Sequence, residues 1–318
     1  MSGESLKMSF ASEVWAAGLA NLGRFTEQEP MSRHTTLVTG GPARWFFRPA
    51  SRANLLKALA EVPEHIRILP LGRGSNMLLP DSGFDGLIID LSELNALHIE
   101  GCMVFAEAGA RMSSIARQCA EHGLTGLEFM ATVPGDLGGG IAMNAGAFSQ
   151  QVSDTLTLVD LAYRDGTSAE LPAGELSMSY RHTDLPRYSL VLGAHFELST
   201  DAPDAIRERM RAMRSRRSST QPLNQPNCGS VFKNPEGDHA ARLIEAAGLK
   251  GTQIGGAHIS ERHANFIVND GDASSADILA LIDRVRLVVN EKFGVLLEPE
   301  VRIIQDSAES EKQQESAA

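Results

Sequence analysis

The strongest periodic signal in the chain lies between Ser274 and Phe293, where Ile278, Leu281, Ile282, Val285, Val288 and Val289 recur at helical spacing. That pattern predicts an amphipathic helix, started at Ser274 or Ser275 with Asp277 in its first turn and closed by Gly294. Weaker helical periodicity covers residues 12–23, with Gly23 near the C-cap. It recurs after Pro49-Ala-Ser51, where Ser51 is the expected N-cap and Leu55, Leu56 and Leu59 the buried side. Further helices are predicted at about 113–121, closed by Gly123, at 201–217, capped near Asp201 or Asp204, and at 239–247, ending at Gly248. Apolar and β-branched runs predict strands at 44–48, 66–71, 86–91, 155–163, 168–171 and 189–198, with a turn at Asp165-Gly166. A hairpin pairs 96–99 with 103–108 around Glu100-Gly101. The strand at 44–48, the helix after Ser51 and the strand at 66–71 form one β-α-β unit. Thr220-Gln-Pro-Leu-Asn-Gln-Pro-Asn227 is a proline-punctuated link. Beyond it come a strand-like polar run at 263–269 and a final run at 295–304.

Two glycine-rich segments interrupt this pattern. Ala131 to Ala147 holds Gly135, Gly138, Gly139, Gly140 and Gly146 and almost no charge. Glycines at this density allow positive φ and close approach, and successive N–H groups can then line a concavity suited to a phosphate. Close packing of two elements explains the same glycines equally well. Gly72-Arg-Gly-Ser-Asn76 follows a strand directly, at the end where ligands of α/β units sit. Neither segment is a nucleotide motif of standard form. Flanking one α+β region, the pair fits a dinucleotide better than two unrelated turns do.

Composition narrows the classes. The chain has 318 residues, 42% of them hydrophobic and 22% charged, with a net charge of −11. This size allows two domains, and the acidic balance argues against nucleic-acid or anionic-membrane binding. Cys102, Cys119 and Cys228 form neither a disulfide framework nor a zinc pattern, which points to a reducing cytoplasm. His34, His182, His239, His258 and His263 lack ligand spacing, so no metal is assigned. No run approaches a membrane span, and the N-terminus lacks the form of a signal peptide. Residues 306–318 have the composition of a disordered tail.

Three places carry polar groups without an evident structural need: Tyr180-Arg181, in a polar cluster inside a β region, Ser230 after Gly229, and the last strand-like run. Alternation in that run sets Glu298, Glu300 and Arg302 on one face and Leu297, Pro299, Val301 and Ile303 on the other. Taken alone, a turn hydroxyl and an exposed strand edge account for Ser230 and the acidic face. Six arginines lie within 207–217, and Arg207, Arg211 and Arg214 share one helix face.

The motifs together resemble the UDP-N-acetylenolpyruvoylglucosamine reductase (UDP-N-acetylmuramate dehydrogenase) family. The matching segments are His34-Thr35 with Gly40-Gly41-Pro42-Ala43, Leu71–Leu79, Val133–Gly140 with Met143–Ala147, Ser179-Tyr-Arg181, and Gln221-Pro222. They continue through Gly229–Pro235, Ala241–Gly251, Ile259–Asn269 and Leu297–Arg302, in family order from about residue 34 to 304. The run Ala241–Gly251 resembles the shorter type, which lacks a substrate-covering tyrosine loop.

The resemblance implies an α+β chain with an FAD-binding domain of the vanillyl-alcohol-oxidase (PCMH) type at 34–203 and a C-terminal α+β substrate domain at 204–304. An N-terminal extension at 1–33 and a tail at 305–318 flank them. It implies non-covalent FAD, held by Gly72, Arg73, Gly74, Ser75 and Asn76 and by Pro134, Gly135, Gly139, Gly140, Asn144 and Ala145. It also implies NADPH as co-substrate and a UDP-sugar enolpyruvate reduced to UDP-N-acetylmuramate in peptidoglycan precursor synthesis, in a cytoplasmic monomer. Arg181 and Glu300 match the groups that polarise the substrate carboxylate, Glu300 as a protonated donor, and Ser230 matches the proton donor. Tyr180, Lys233, Asn234 and Arg214 would contact substrate. Arg73, Asp136-Leu137 and Cys228 depart from the family pattern without removing a required group, and Cys228 beside Ser230 would make the site oxidation-sensitive. Two rivals remain at this stage: another oxidoreductase on the same flavin fold acting on a small alcohol or lactone, and a non-catalytic UDP-sugar or flavin-binding regulator. The ordered C-terminal motifs weigh against the first, and intact Arg181, Ser230 and Glu300 against the second.

Overall fold

A computed structural model describes residues 15–305. The tail expected at 306–318 and the start of the helix expected at 12–23 lie outside the described residues. The chain divides into two units. The first takes residues up to Gln28, Trp45–Gly72 and Gly86–Arg214, and the second takes Glu29–Arg44, Arg73–Asp85 and the chain from Ser215 on.

The first unit is built on two sheets. One orders its strands Gly23–Pro30, Pro42–Pro49, Phe84–Asp90 and Ile68–Leu71, the last two parallel. The other is a five-stranded antiparallel sheet in the order Ser168–Pro172, Leu156–Tyr163, Ser189–Glu197, Met103–Glu107 and Leu97–Glu100. Ser51 caps the helix Arg52–Glu61 as expected, its Oγ accepting the Asn54 N–H at 3.2 Å. That helix buries Leu55, Ala58 and Leu59, with Leu56 half-buried. The β-α-β unit has Phe84–Asp90 inserted between its two strands. The helix Met112–Glu121 turns out at His122 into Gly123, whose φ of +68° a side chain would resist.

Gly23 does not close a helix. Residues 15–19 are helical, and Gly23 opens a strand. A Cβ there would sit 2.1 Å from the Arg48 carbonyl oxygen, so this glycine marks a close backbone approach.

Glu128 is a buried carboxylate that no sequence pattern singled out. It accepts from Thr125 Oγ1 and the Gly126 N–H, both at 2.7 Å, and from Arg209 at 2.8 Å. Burial alone would raise its pKa, but these donors outweigh burial and lower it. A carboxylate with a lowered folded pKa contributes stability that is present above its unfolded pKa and lost as pH falls through the folded value. Arg209→Ala is therefore expected to lower unfolding free energy by about 1–3 kcal/mol at neutral pH. Urea titrations should show that difference closing in acid, as Glu128 takes up a proton. Two other arginines of the helix Pro203–Thr220 are balanced nearby: Arg207 pairs with Asp204, and Arg211 with Glu208.

The second unit has its own core, in which Leu37 and Leu78 join Phe232, Leu243, Ile244, Ile278, Leu281, Ile282, Val285 and Val289. The helix Ser275–Phe293 carries the expected stripe, with Ser274 and Asp277 capping each other's backbone N–H and Gly294 in the left-handed conformation. The run expected as a strand at 263–269 is regular only at Ile267–Asn269. Ser260 Oγ accepts the Arg262 and His263 N–H groups and folds the chain before it into a turn. In the final run only Arg302–Ile303 is a regular strand, parallel to Met77–Leu78. Its alternation holds nonetheless: Leu297 and Val301 are buried, Glu298 and Arg302 exposed.

Candidate active site

In the first unit the glycine stretch is largely helical. Leu137–Ala142 form a short helix, so Gly138, Gly139 and Gly140 do not take positive φ, and among the glycines of the stretch only Gly135 does, at +119°. The Leu137 and Gly138 N–H groups are bonded to the carbonyls of Ala110 and Ala108, at 2.9 and 2.8 Å. They do not join a row of free donors as the sequence suggested. The glycines divide by face instead. A Cβ on Gly138 would lie 3.0 Å from the Ala108 Cβ, and one on Gly140 2.7 Å from Met112 Sδ. At Gly139, which is exposed, a Cβ would meet nothing within 4 Å. Close packing explains the inner glycines, and the outer one leaves bare backbone at an open surface, next to exposed Pro134. This arrangement fits a bound FAD: the missing Cβ is room for the cofactor to reach main chain. Gly72 belongs to the same place, since its Cβ would lie 3.2 Å from Asp136 Oδ2 at the start of that helix.

The far end of the stretch is tied to Arg181. The strands Ser177–Ser179 and His182–Asp184 form a hairpin, and Tyr180-Arg181 are its turn. Arg181 has φ +56°, donates to the Gly146 carbonyl at 2.7 Å, and stands 5.0 Å from the Tyr180 ring centre. Thr183 Oγ1 donates to the Ile141 carbonyl at 2.6 Å. Asn144 is fully buried; its Nδ2 donates to the Ser179 carbonyl and its Oδ1 accepts the Ser153 N–H, both at 3.0 Å. Its carboxamide is thus committed to the protein, and so is the adjoining main chain: the Asn144 N–H donates to Ile141, and buried Ala145 donates to the Gly140 carbonyl at 2.8 Å and accepts the Val152 N–H at 2.9 Å, which leaves these two expected cofactor contacts little to offer. Asn144, Phe148, Ser149 and Arg181 all have positive φ, at +40°, +54°, +61° and +56°. Such residues each cost on the order of 1 kcal/mol or more and collect at functional sites.

In the second unit Ser230 and Glu300 come together through one carbonyl. The Glu300 N–H donates to the Val231 oxygen at 2.8 Å, and Phe232 bridges to Pro299. The second glycine segment joins them: Asn76 Nδ2 donates to the Glu300 carbonyl at 3.0 Å, and the Arg302 N–H donates to the Asn76 carbonyl at 3.0 Å. Gly74, at φ +57°, is pressed so close to residues 34–35 that a Cβ would lie 2.3 Å from the His34 oxygen. Arg73 is exposed, and Ser75 half-buried. Gly229, at φ +78°, has open space where a Cβ would be, and its N–H is held by Asn227 Oδ1. Ser230 is half-buried just beyond it.

The substrate-binding candidates are less free than the sequence implied. Lys233 Nζ pairs with Glu298 at 2.6 Å. The carboxamide oxygen of exposed Asn234 accepts the Ala240 N–H at the start of the helix Ala240–Ala246. Exposed Arg214, in the first unit, donates weakly to the Ala131 carbonyl, at 3.4 Å. Cys228 is buried, and desolvation pushes its thiol up to about 12. The oxidation sensitivity expected from its position beside Ser230 is therefore opposed by burial, which keeps the unreactive thiol form. Asn265 escaped notice in the sequence, although it sits inside a recognised motif; a buried carboxamide has no periodic signature. Among the described residues no group of three or more His, Cys, Asp or Glu is placed to hold a metal, and no helix is long and apolar enough to cross a membrane.

Comparison with known proteins places these two halves. Residues 43–171 match the family model of an FAD binding domain, and residues 221–304 match that of the UDP-N-acetylenolpyruvoylglucosamine reductase C-terminal domain. A protein of Alkalilimnicola ehrlichii named UDP-N-acetylenolpyruvoylglucosamine reductase is 44% identical over 283 residues, covering 89% of this chain and 95% of its own. One of the same name from Methylococcus capsulatus is 44% identical over 284 residues, covering 89% of this chain and 93% of its own. The crystal structure of UDP-N-acetylenolpyruvylglucosamine reductase from Thermus caldophilus superposes with a TM-score of 0.77 at 32% identity, covering 89% of this chain and 99% of that one.

Proposed function

Since the chain belongs to the UDP-N-acetylenolpyruvoylglucosamine reductase family and is an FAD-dependent oxidoreductase, we propose that it uses NADPH to reduce the enolpyruvyl group of UDP-N-acetylglucosamine enolpyruvate. The product is UDP-N-acetylmuramate, a peptidoglycan precursor. The observation that carries this reading is the convergence of Ser230, Glu300 and Asn76 on one main-chain junction of the second unit. Neither a small-alcohol oxidoreductase nor a binding module requires that junction. Placement in the cytoplasm belongs to the same proposal and is supported by three cysteines that remain free thiols.

Bound FAD supplies the hydride chemistry, carrying reducing equivalents from NADPH to the vinyl methylene carbon. The open backbone at Gly139, with Gly72, Pro134 and Gly135 around it, would hold the cofactor. Hydride addition breaks the C=C π bond, turns the methylene into a methyl group, and leaves an electron pair on the carbon that bears the ether oxygen and the carboxylate. The Arg181 guanidinium attracts the negative charge that spreads onto this carboxylate, and Glu300 donates a hydrogen bond to it from its protonated form. Ser230 Oγ delivers a proton to the carbon, forming the new C–H bond, and recovers a proton from solvent. A serine is a weak acid, but the carbanion is a strong base, so the transfer runs downhill. Tyr180, Lys233, Asn234 and Arg214 contact the rest of the substrate.

The test is direct. Purified protein should carry yellow FAD and oxidise NADPH only when the enolpyruvyl substrate is present. A colourless protein defeats the reading, and a yellow one indifferent to this substrate favours a different flavin oxidoreductase. The cofactor cradle has a test that does not rely on turnover. Gly139→Leu should leave the unfolding free energy of the apoprotein within about 1 kcal/mol of the parent, because position 139 is exposed and its Cβ would meet nothing within 4 Å. FAD retention, followed by titration of flavin fluorescence, should fall by about tenfold or more, a loss of about 1.4 kcal/mol. Unchanged FAD affinity would remove Gly139 from the cradle.

A further inference from the structure

Asn265 is 4% exposed in the second unit, and it makes three hydrogen bonds to the segment that follows Ser230. Its Oδ1 accepts the Phe232 N–H at 2.9 Å, its Nδ2 donates to the Phe232 carbonyl at 2.8 Å, and its own carbonyl accepts the Val231 N–H at 2.9 Å. The carboxamide thus satisfies both main-chain groups of Phe232, as a neighbouring strand would, from 33 residues away in the chain. Only Asn or Gln presents a donor and an acceptor side by side, and a buried carboxamide with both ends committed has no second arrangement of comparable energy.

What it holds matters more than the bonds themselves. The Val231 carbonyl, whose own N–H is taken by Asn265, accepts from Glu300 at 2.8 Å and from Val301 at 3.3 Å. Ser230 precedes Val231. On its other side Gly229, at φ +78°, has open space where a Cβ would be, and its N–H donates to Asn227 Oδ1 at 2.9 Å. Ser230 thus lies between buried Cys228 and a main chain that Asn265 holds at Val231 and Phe232. We propose that Asn265 is a positioning residue for the reduction: it fixes the Val231–Phe232 main chain and thereby sets the place of Ser230, which precedes it. This deepens the reading of Ser230 as proton donor and rests on it.

The two can fail separately. The holoenzyme is reduced with dithionite, and its reoxidation by the enolpyruvyl substrate is followed by the return of flavin absorbance, in the parent, Asn265→Ala, Ser230→Ala and the double variant. If Asn265 acts through Ser230, Asn265→Ala slows reoxidation by about 10²-fold, the cost of a misplaced catalytic group. In the Ser230→Ala background it then adds less than about twofold, since there is no donor left to misplace. A merely structural asparagine would show the same factor in both backgrounds, or no slowing in either, and each result overturns the proposal. Should Ser230→Ala itself leave reoxidation intact, the proton-donor reading fails, and the proposal falls with it. Asn265→Asp keeps the volume and the Oδ1 acceptor but sets a second acceptor against the Phe232 carbonyl. It is the variant to use if Asn265→Ala does not fold, with the same non-additivity expected.

Discussion

Ser230→Ala is expected to leave flavin reduction by NADPH within about twofold of the parent and to slow flavin reoxidation by the enolpyruvyl substrate by about 10²–10⁴-fold, the range that a positioned proton donor contributes. The asymmetry follows from where the proton goes. Reducing the flavin asks nothing of a group that protonates a substrate carbon, whereas reoxidation leaves a carbanion that must be quenched. Ser230 is half-buried, and its neighbours are fixed by main-chain bonds of Val231 and Phe232 that do not involve its hydroxyl. Removing the hydroxyl should therefore cost stability no more than about 0.5–1 kcal/mol. Stopped-flow measurement of the two half-reactions decides the matter. Equal losses in both would return Ser230 to the status of a turn hydroxyl.

The second large effect is expected at Glu300. Glu300→Gln should slow the same half-reaction by about tenfold or more, because an amide N–H is a weaker donor than an acid O–H at a site where charge develops. The fold should survive, because main-chain atoms tie this residue down: its N–H to Val231, at 2.8 Å, and its carbonyl to Asn76, at 3.0 Å. Glutamine keeps the length and the backbone, and removes the acidic proton. Thermal unfolding beside half-reaction kinetics checks both parts. A variant that mainly loses stability would mean that the carboxyl serves the strand edge and not the substrate.

Much of the local structure was legible because its causes are local. Ser51, the Ser274 and Asp277 pair, Gly123 and Gly294 act on backbone groups within a few residues of themselves, so cap chemistry alone located four helix ends. Asp165-Gly166 turned its hairpin for the same reason, whereas the turn expected at Glu100-Gly101 falls one residue later, at Gly101-Cys102, because Glu100 still pairs with Met103. The alternation of the last run correctly separated buried Leu297 and Val301 from exposed Glu298 and Arg302, although regular pairing reached only Arg302–Ile303. The misreadings share one physical origin. Gly23 resembled a helix stop and proved to be a point of contact with the main chain near Arg48. Gly138 and Gly140 resembled a phosphate loop, and they are packed against Ala108 and Met112. A glycine reports that a side chain is not tolerated; what excludes it is a matter of neighbours distant in the chain.

The sequence by itself determined the helices, most strands and the family, since residue type and short-range order carry that information. Tertiary structure alone decided which main-chain groups the candidate site residues meet within each unit. Arg181 rests on Gly146, 35 residues earlier, and Asn76 meets Glu300 across 224 residues. Buried Asn144 and Asn265 hold their respective halves through hydrogen bonds whose partners no periodicity marks. A hydrogen bond between main-chain and carboxamide groups leaves no trace in hydrophobic pattern or charge, because every residue offers a main chain. Its specificity arises only when the fold has excluded water and brought donor and acceptor within about 3 Å of each other.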